Sequence, residues 1–357
     1  MIVDEPESET APVSGATLTR DEARVTVHGV PDVPGTSLEI FSRIAARKIA
    51  VDMIVQNVGQ AGRADISFSV PVDELRATLE ALREAAGTIG VERITHDDNV
   101  SKVSVVGLGM ARQTGVAHRM FRALADAGVN LQMITTSEIK ISAMVARDAA
   151  QNALRIVHGQ FALEQKPDDA KSWAQIRAER VERTDMATLV SRLRDDALEE
   201  LTLTGIAMVD DQALVTLRGV PDQPGFAADM FDAIGQAGIF VDMIVQGIDG
   251  KDDRTSISLT VKEKELADCL AVAEQLAQKH GLDDYSGTEK IAKLTVSGIG
   301  LRSHTSVGTV MFRALAAAEI NVLMINTSEL QVNAVVASAH AEAGLNALKQ
   351  AFAESLQ

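Results

Sequence analysis

Two copies of one eleven-residue stretch decide the fold. Residues 25–35 read VTVHGVPDVPG, and residues 215–225 read VTLRGVPDQPG, 190 positions later. The string VDMIVQ at 51–56 recurs at 241–246 with the same displacement, and TSE at 136–138 recurs one residue further along, at 327–329. The chain therefore contains two copies of one large unit, and this repeat sets the architecture before any single motif is weighed.

Each half also repeats within itself. In the first half six positions recur 80 residues later: Gly29, Gly35, Phe41, Ala45, Ile49 and Ile54 correspond to Gly109, Gly115, Phe121, Ala125, Val129 and Ile134. In the second half the displacement is 81: Phe231, Ile239 and Ile244 correspond to Phe312, Ile320 and Ile325. The sequence thus predicts four homologous modules.

Hydrophobic periodicity predicts the elements of a module. In the first module, alternating apolar residues at 23–30 indicate a strand, and an apolar stripe at 38–45 indicates a helix. Residues 49–58 and 64–70 follow as strands, and 72–86 as a second helix. This order predicts an α+β fold of ferredoxin-like βαββαβ modules, each an antiparallel sheet with both helices on one face.

The repeats also place the domain boundaries. We expect an N-terminal segment at 1–22, modules at 23–96, 97–163, 201–290 and 291–357, and a charged helical linker at 164–200. A solvated bridge is the preferred interpretation of that linker, with a partner-docking helix as the alternative. Residues 14–18 and 201–208 could be strands exchanged between paired modules, and the sequence leaves the sheet of each last strand open.

Composition narrows the class of protein. A net charge of -16 and 3% aromatic residues argue against nucleic acid and anionic membrane as partners. The N-terminus does not resemble a signal peptide and no eighteen apolar residues run together, so we expect a cytoplasmic protein. Cys269, the one cysteine, lies among apolar helical neighbours and is expected to be a buried structural thiol.

No motif predicts catalysis, a metal or a cofactor. Gly107-Leu108-Gly109 lacks the third glycine and the parallel context of a dinucleotide fingerprint. The seven histidines do not cluster with cysteine or carboxylate residues. An acylphosphatase-like enzyme would need an arginine such as Arg112 or Arg302 in a phosphate loop, but neither has a partner that positions a nucleophile.

The loop at 31–35 is the first candidate for ligand binding. Pro31 and Pro34 fix its backbone, and Gly35 leaves room at the start of a helix, whose free amides could hold a carboxylate. Asp32 could bind an α-ammonium group, or it could only cap the helix. Polar residues of the following strands allow two interpretations, cross-module hydrogen bonds or ligand contacts: Asp52, Gln56, Asn57 and Asn130.

Four strings together resemble a known family. VPDVPG at 30–35, VDMIVQN at 51–57, VVGLGM at 105–110 and TTSEI at 135–139 are similar to the paired ACT domains of aspartate kinases. The resemblance covers 23–161 and 201 to about 352. Residues 1–5 resemble the segment that follows the kinase domain, and the sequence contains no kinase domain.

The resemblance implies a regulatory region that binds lysine and/or threonine between paired modules, for feedback inhibition of aspartate-family amino-acid biosynthesis. Its implied partners are free amino acids, the catalytic domain or subunit of aspartate kinase, and a second copy in a homodimer. An alternative from another class is an interaction module that only assembles oligomers.

The resemblance also assigns site residues. One effector's head group would be held by Asp32, Gly35, Thr36, Ser37, Gln56, Asn130 and Leu131, and a companion site would contain Asp52, Val116, Ala117, Ser137 and Glu138. Asn57 is also assigned to effector binding. The second-half sets are Asp222, Gly225, Phe226, Ala227, Gln246, Asn321 and Val322, with Asp242, Ser328 and Glu329 as companion residues. Phe226 replaces Thr36, Gly247 replaces Asn57 and Ser306 replaces Gly115, so the second pair could bind another ligand or only dimerise.

Overall fold

The computed structural model describes residues 13–57, 61–107, 115–137, 139–164, 202–248, 254–299, 301, 306–328 and 330–353. The predicted linker helix lies outside these ranges, apart from its first residue. Glu138 and Glu329, two residues assigned to the companion sites, also lie outside them.

The first half contains two modules of the predicted order. Its elements are β1 (Gly15–Pro31), α1 (Thr36–Ala46), β2 (Asp52–Gln56), β3 (Arg63–Pro71), α2 (Leu75–Ile89), β4 (Arg93–Val106), α3 (Gly115–Asp126), β5 (Met133–Thr136), β6 (Lys140–Ala146) and α4 (Ala150–Gln160). A single 3₁₀ turn at Val72–Glu74 precedes α2, so the predicted helix at 72–86 begins as a tighter turn and runs slightly further than expected.

The second half repeats this order. Its elements are β7 (Thr202–Pro221), α5 (Phe226–Gln236), β8 (Val241–Ile248), β9 (Arg254–Lys262), α6 (Leu266–His280), β10 (Asp284–Ile299), α7 (Ser306–Ala317), β11 (Met324–Thr327), β12 (Gln331–Ala337) and α8 (Ala341–Ala351). Modules 1 and 2 are centred on α1 and α3, and modules 3 and 4 on α5 and α7.

Four long strands are each shared by two modules. The second part of β1 pairs with β3 of module 1, whereas residues 15–19 at its start pair with 102–106 of β4 in module 2. In the second half, 202–209 of β7 pair in the same way with β10. The last strands are therefore exchanged between modules, which answers the question that the sequence left open. The predicted boundaries at 96/97 and 290/291 fall inside β4 and β10, and they stay predictions.

Strand pairing between the halves closes the sheet. The order is β1-β3-β2-β11-β12-β10-β7-β9-β8-β5-β6-β4, a closed barrel. Strand β2 pairs with β11, with Gln56 opposite Ile325, and β5 pairs with β8, with Ile134 opposite Gln246. Module 1 thus lies beside module 4, and module 2 beside module 3. Closure leaves no unpaired edge among the twelve strands of the described ranges.

Three apolar clusters fill the molecule. In one outer cluster Phe41 of α1 meets Phe312 of α7 with ring centroids 5.7 Å apart, and in the other Phe121 of α3 meets Phe231 of α5 at 5.3 Å. The inner cluster, between the two sides of the barrel, contains five buried methionines, whose adaptable side chains suit an irregular space: Met53, Met133, Met144, Met243 and Met324.

Cys269 lies buried on the inner face of α6. Burial, with a smaller contribution from the nearby Glu265 carboxylate, raises the pKa of the thiol to about 12. A thiol with so high a pKa forms almost no thiolate at neutral pH and is therefore unreactive. The prediction of a buried structural thiol is confirmed.

Equivalent positions of the two halves carry residues of different size where the halves meet, near their pseudo-two-fold axis. Asn57 Nδ2 donates a hydrogen bond to the carbonyl of Ser256 in the other half, over 3.1 Å. The counterpart of Asn57 is Gly247, where an added Cβ would lie 2.9 Å from Asn57 Nδ2. The glycine therefore provides the space that the Asn57 amide occupies. A cross-half hydrogen bond is thus the role of Asn57, in agreement with one of its two predicted interpretations.

This packing generates a stability prediction. G247N places a second amide where Asn57 already lies, and we expect it to lower the free energy of unfolding by about 1–3 kcal/mol, as overpacking does. The double variant N57G/G247N restores one large and one small residue, and it should recover part of this loss. Urea denaturation measures both effects. The fit of unlike halves is contradicted if G247N is as stable as the wild type, or if the double variant is no more stable than G247N.

Candidate functional site

The loop before α1 presents an uncapped helix end at the seam between modules 1 and 4. Gly35 is the N-cap residue with φ 96° and makes no side-chain cap, and the first intrahelical bond runs from the Glu39 amide to the Gly35 carbonyl. Asp32 does not cap the helix, because its carboxylate accepts a hydrogen bond of 2.9 Å from Asn321 Nδ2 of module 4. The alternative of a purely capping Asp32 is therefore wrong.

A pocket that opens to solvent lies at this seam, with about 340 Å³ of space between its walls when the solvent at its mouth is included. Asp32, Gly35, Thr36, Ser37 and Gln56 line it from module 1, and Phe312, Ala316, Asn321 and Val322 from module 4. Gln56 links the two walls: its Oε1 accepts from Ser37 Oγ at 3.0 Å, and its Nε2 donates to the Val322 carbonyl at 2.9 Å.

The seam between modules 2 and 3 repeats this arrangement. Its cavity of about 330 Å³ is lined by Asp222, Gly225, Phe226, Ala227 and Gln246 of module 3 and by Asn130 and Leu131 of module 2. Asn130 Nδ2 donates to Asp222 Oδ1 at 2.7 Å, and Gln246 Nε2 donates to the Leu131 carbonyl at 2.9 Å. The helix end is again a glycine N-cap without a side-chain cap, Gly225.

The structure corrects how the predicted residues are grouped. The sequence assigned Asn130 and Leu131 to the site of Asp32, and Asn321 and Val322 to that of Asp222. The seams contain the opposite combinations, because β2 pairs with β11 and β5 with β8 across the halves. Residues of both predicted head-group sets line the two pockets, but their partners depend on barrel closure, and effector binding by them stays a prediction. Asn57 lines neither cavity.

Each seam has donors and acceptors suited to a free amino acid. At the start of α1 the Thr36 amide already donates to the Val33 carbonyl over 3.3 Å, but the next two amides precede the first intrahelical bond. Amides in this position, and those at the start of α5, can donate to a carboxylate, which the helix dipole also favours. Asp32 and Asp222 are the carboxylates of their seams and can accept from an ammonium group. A free amino acid carries a carboxylate and an ammonium group, so one molecule could bond both to the helix end and to the aspartate of a seam.

The predicted companion site lies on the other side of the α1–α7 contact. A cavity of about 480 Å³ there is lined by Asp52, Thr327 and Ser328, among others. Asp52 is bonded to the ammonium group of Lys102, a fully buried residue that also lies 3.9 Å from Glu22 Oε1. A lysine ligand would have to compete with Lys102 for this carboxylate. Asp242 is bonded in the same way to Lys293.

The remaining companion residues are divided between the seams. Val116 and Ala117 are buried on α3, in the cluster of modules 2 and 3. Ser137 closes a turn, with its amide bonded to the Lys140 carbonyl over 2.7 Å. Asp52 is thus next to Ser328 rather than Ser137, again because the halves exchange partners. Sequence reasoning missed Lys102, although a lysine inside the apolar run 100–106 was a signal of a buried ion pair.

Sequence reasoning also missed a cluster of charges that crosses the seam of modules 2 and 3. Arg122 of α3 is bonded to Asp232 and lies 2.9 Å from Asp229 Oδ1, both on α5. Lys279 of α6 donates to Asp229 Oδ2 at 2.7 Å. Partial burial alone raises the pKa of Asp229, but the hydrogen bonds from Lys279 and Arg122 outweigh it, so the pKa lies below its ordinary value of 3.8.

A pH dependence follows from this lowered pKa. Because the folded state lowers the pKa, the charge of Asp229 stabilises the protein above the ordinary carboxyl pKa, and the effect is lost as the pH falls through the lowered value. We expect D229N to lower the free energy of unfolding at pH 7 by no more than about 1 kcal/mol, because water partly screens the charges of Asp229 and Arg122. The melting temperature should fall accordingly. The difference from the wild type should vanish at strongly acid pH.

The matched control is E39Q at the equivalent position of module 1. Among the residues that the structure describes, the Glu39 carboxylate bonds only to Arg43 of its own helix, so its loss should change the melting temperature less. Thermal melts of the three proteins from pH 7 to pH 2 measure this. A D229N deficit that is the same at every pH would contradict the assignment.

A family model described as "ACT domain" matches residues 103–161, 215–276 and 294–352, about half of the chain. These stretches fall in modules 2, 3 and 4, and module 1 shares their order of elements. The chain belongs to the ACT domain family. This confirms the predicted fold class and the ACT-domain part of the resemblance.

The similar proteins are aspartokinases. An aspartokinase of Pseudomonas aeruginosa is 44% identical over 164 residues, which are 46% of this chain and 40% of that protein. One of Helicobacter pylori is 41% identical over 157 residues, 44% of this chain and 38% of the relative. A crystal structure of aspartate kinase from Synechocystis matches 98% of this chain with a TM-score of 0.83 and 29% identity.

These similarities confirm the aspartokinase part of the resemblance. The alignment spans about two fifths of the curated relatives and 57% of the Synechocystis protein. Within the described ranges, no helix is long and apolar enough to cross a membrane, and no three metal-ligating side chains lie together.

Proposed function

We propose that this chain is the regulatory part of an aspartate kinase, which binds lysine and/or threonine at the seams between modules and inhibits aspartate-family amino-acid biosynthesis by feedback. The observation that carries the proposal is the composition of each seam. An uncapped helix end, a carboxylate and a glutamine amide of one module face an asparagine of a module from the other half. The similarity to aspartokinases supports the choice of aspartate kinase as the regulated enzyme.

The geometry suggests how a bound amino acid would act. Its carboxylate would lie at the amides that begin α1 or α5, and its ammonium group at Asp32 or Asp222. Those groups belong to one half of the chain, and Asn321 or Asn130 belongs to the other. A ligand that bonds to both walls stabilises one arrangement of the halves over another, which is what allosteric control requires.

The proposed partners are free amino acids and the catalytic domain or subunit of aspartate kinase. The proposed location is the cytoplasm. The predicted homodimer was argued from sheet edges that a second copy would cover. The described strands form a closed barrel within one chain, so that argument no longer supports it. The homodimer stays a prediction that needs a separate measurement of mass in solution.

A pure interaction module is the second candidate function. One observation favours it: in the seam of modules 1 and 4, Asp32 already accepts from Asn321, and Gln56 already bonds to Ser37 and to the Val322 carbonyl. A seam whose polar groups are satisfied could serve only to hold the halves together. Ligand binding distinguishes the two functions.

Titration calorimetry and thermal melting with lysine and threonine, separately and together, test the proposal. A ligand at about 100 times its Kd should stabilise the protein by about 2.7 kcal/mol. The double variant D32A/D222A should lose most of the response, because the ammonium group loses its carboxylate at both seams. D73N, a change at an exposed turn before α2, is the control and should respond like the wild type.

No heat and no rise in melting temperature with either amino acid at millimolar concentration would leave the interaction module as the function. A response that survives in D32A/D222A would move the site away from the seams.

A further inference from the structure

The two seams differ at one hydrogen bond. In the seam of modules 1 and 4, both ends of the Gln56 amide are bonded, with Ser37 Oγ donating to Oε1. In the seam of modules 2 and 3, Gln246 Nε2 bonds to the Leu131 carbonyl, but no group in the described ranges donates to Gln246 Oε1. Gln246 is only 5% exposed, so its carbonyl oxygen is cut off from bulk water as well.

One substitution between the halves causes this difference, and a second one makes the same helix end less polar. Ala227 stands where module 1 has Ser37, so the hydroxyl that would donate to Oε1 is missing. Phe226 stands where module 1 has Thr36, and its ring packs edge-on against His280 with centroids 5.0 Å apart. The start of α5 is therefore apolar at two positions that carry hydroxyl groups at the start of α1.

The orientation of the Gln246 amide is fixed by its partner. Turning the amide over would place Oε1 against the Leu131 carbonyl, and two oxygens at 2.9 Å would repel each other. Gln246 is one of the residues that line the cavity of modules 2 and 3, and a small rotation of its side chain would present the buried Oε1 to a donor inside it. A buried carbonyl oxygen without a donor costs about 1–3 kcal/mol, and a ligand that donates to it removes that cost.

The walls of this cavity also restrict the ligand. Asp222 is the one charged residue among those that line it, and an α-ammonium group would use that carboxylate. A second cation on the ligand's side chain would be desolvated without an anion, which is costly. Phe226, Ala227 and Pro221 instead offer apolar contact to a short side chain.

We infer that the two seams are unequal sites, and that the seam of modules 2 and 3 is the tighter one. Its ligand is an α-amino acid with a short, uncharged side chain, whose ammonium group donates to Gln246 Oε1 and Asp222. The seam of modules 1 and 4 binds the same ligand more weakly, because Gln56 Oε1 is already bonded to Ser37, whereas the aspartate of each seam accepts from an asparagine in the same way. This inference rests on the proposed function and specifies which seam carries it.

A reciprocal exchange of one hydroxyl tests the inference, with threonine as the probe and lysine as the comparison. A227S gives Gln246 Oε1 a protein donor, and we expect the tight threonine Kd to rise at least fivefold. S37A removes the donor from Gln56 in the other seam, and the tight Kd should stay within twofold of the wild type. A227C, which is nearly the size of serine but has only a weak donor, controls for volume and should bind like the wild type.

The ligand-free proteins give a second measurement. A227S should unfold at a higher urea concentration than the wild type, because it satisfies a buried acceptor, and S37A should unfold at a lower one. Threonine should bind the wild type more tightly than lysine does.

Three results would overturn the inference: an unchanged tight Kd in A227S, a loss of the tight event in S37A, or an A227C variant as weak as A227S. Absence of any binding to the wild type would instead refute the proposed function itself, and the two failures are thus distinguishable.

Discussion

Four long strands, β1, β4, β7 and β10, each supply hydrogen bonds to two modules, and this sharing determines which modules lie side by side. It places modules 1 and 2 on opposite sides of the barrel, so the free edge of β2 cannot pair with β5 of its own half. The edge pairs with β11 instead, and β5 pairs with β8. Both candidate sites arise at these two pairings, because each seam joins modules from different halves.

A duplicated chain can become asymmetric in a way that two identical chains cannot. At the pseudo-two-fold axis Asn57 faces Gly247, so a large residue in one half fits a small one in the other. The seams have diverged too: Ser37 and Thr36 in one correspond to Ala227 and Phe226 in the other. Duplication within one chain therefore allows one seam to be specialised for a ligand while the other keeps the halves together.

The sequence predicted most of the fold, because repeats and periodicity are local signals. The βαββαβ order and the four modules were readable from spacing, whereas the exchange of strands at 14–18 and 201–208 was only one possibility that the sequence left open. It could not predict that Asn321, rather than Asn130, bonds to Asp32. That choice depends on which open edges meet across about 290 residues of chain, and the repeats make both choices look equivalent. Lys102 escaped notice for a related reason, since its partners Asp52 and Glu22 lie on other strands.

The central claim is that an amino acid is bound between modules that belong to different halves of the chain. A crystal structure of the chain with saturating threonine tests this most directly. The account predicts density for threonine in the pocket between modules 2 and 3, with its ammonium group within hydrogen-bonding distance of Asp222 and Gln246 Oε1. Density for threonine only outside both seams, in crystals of a protein that binds it in solution, would contradict the account.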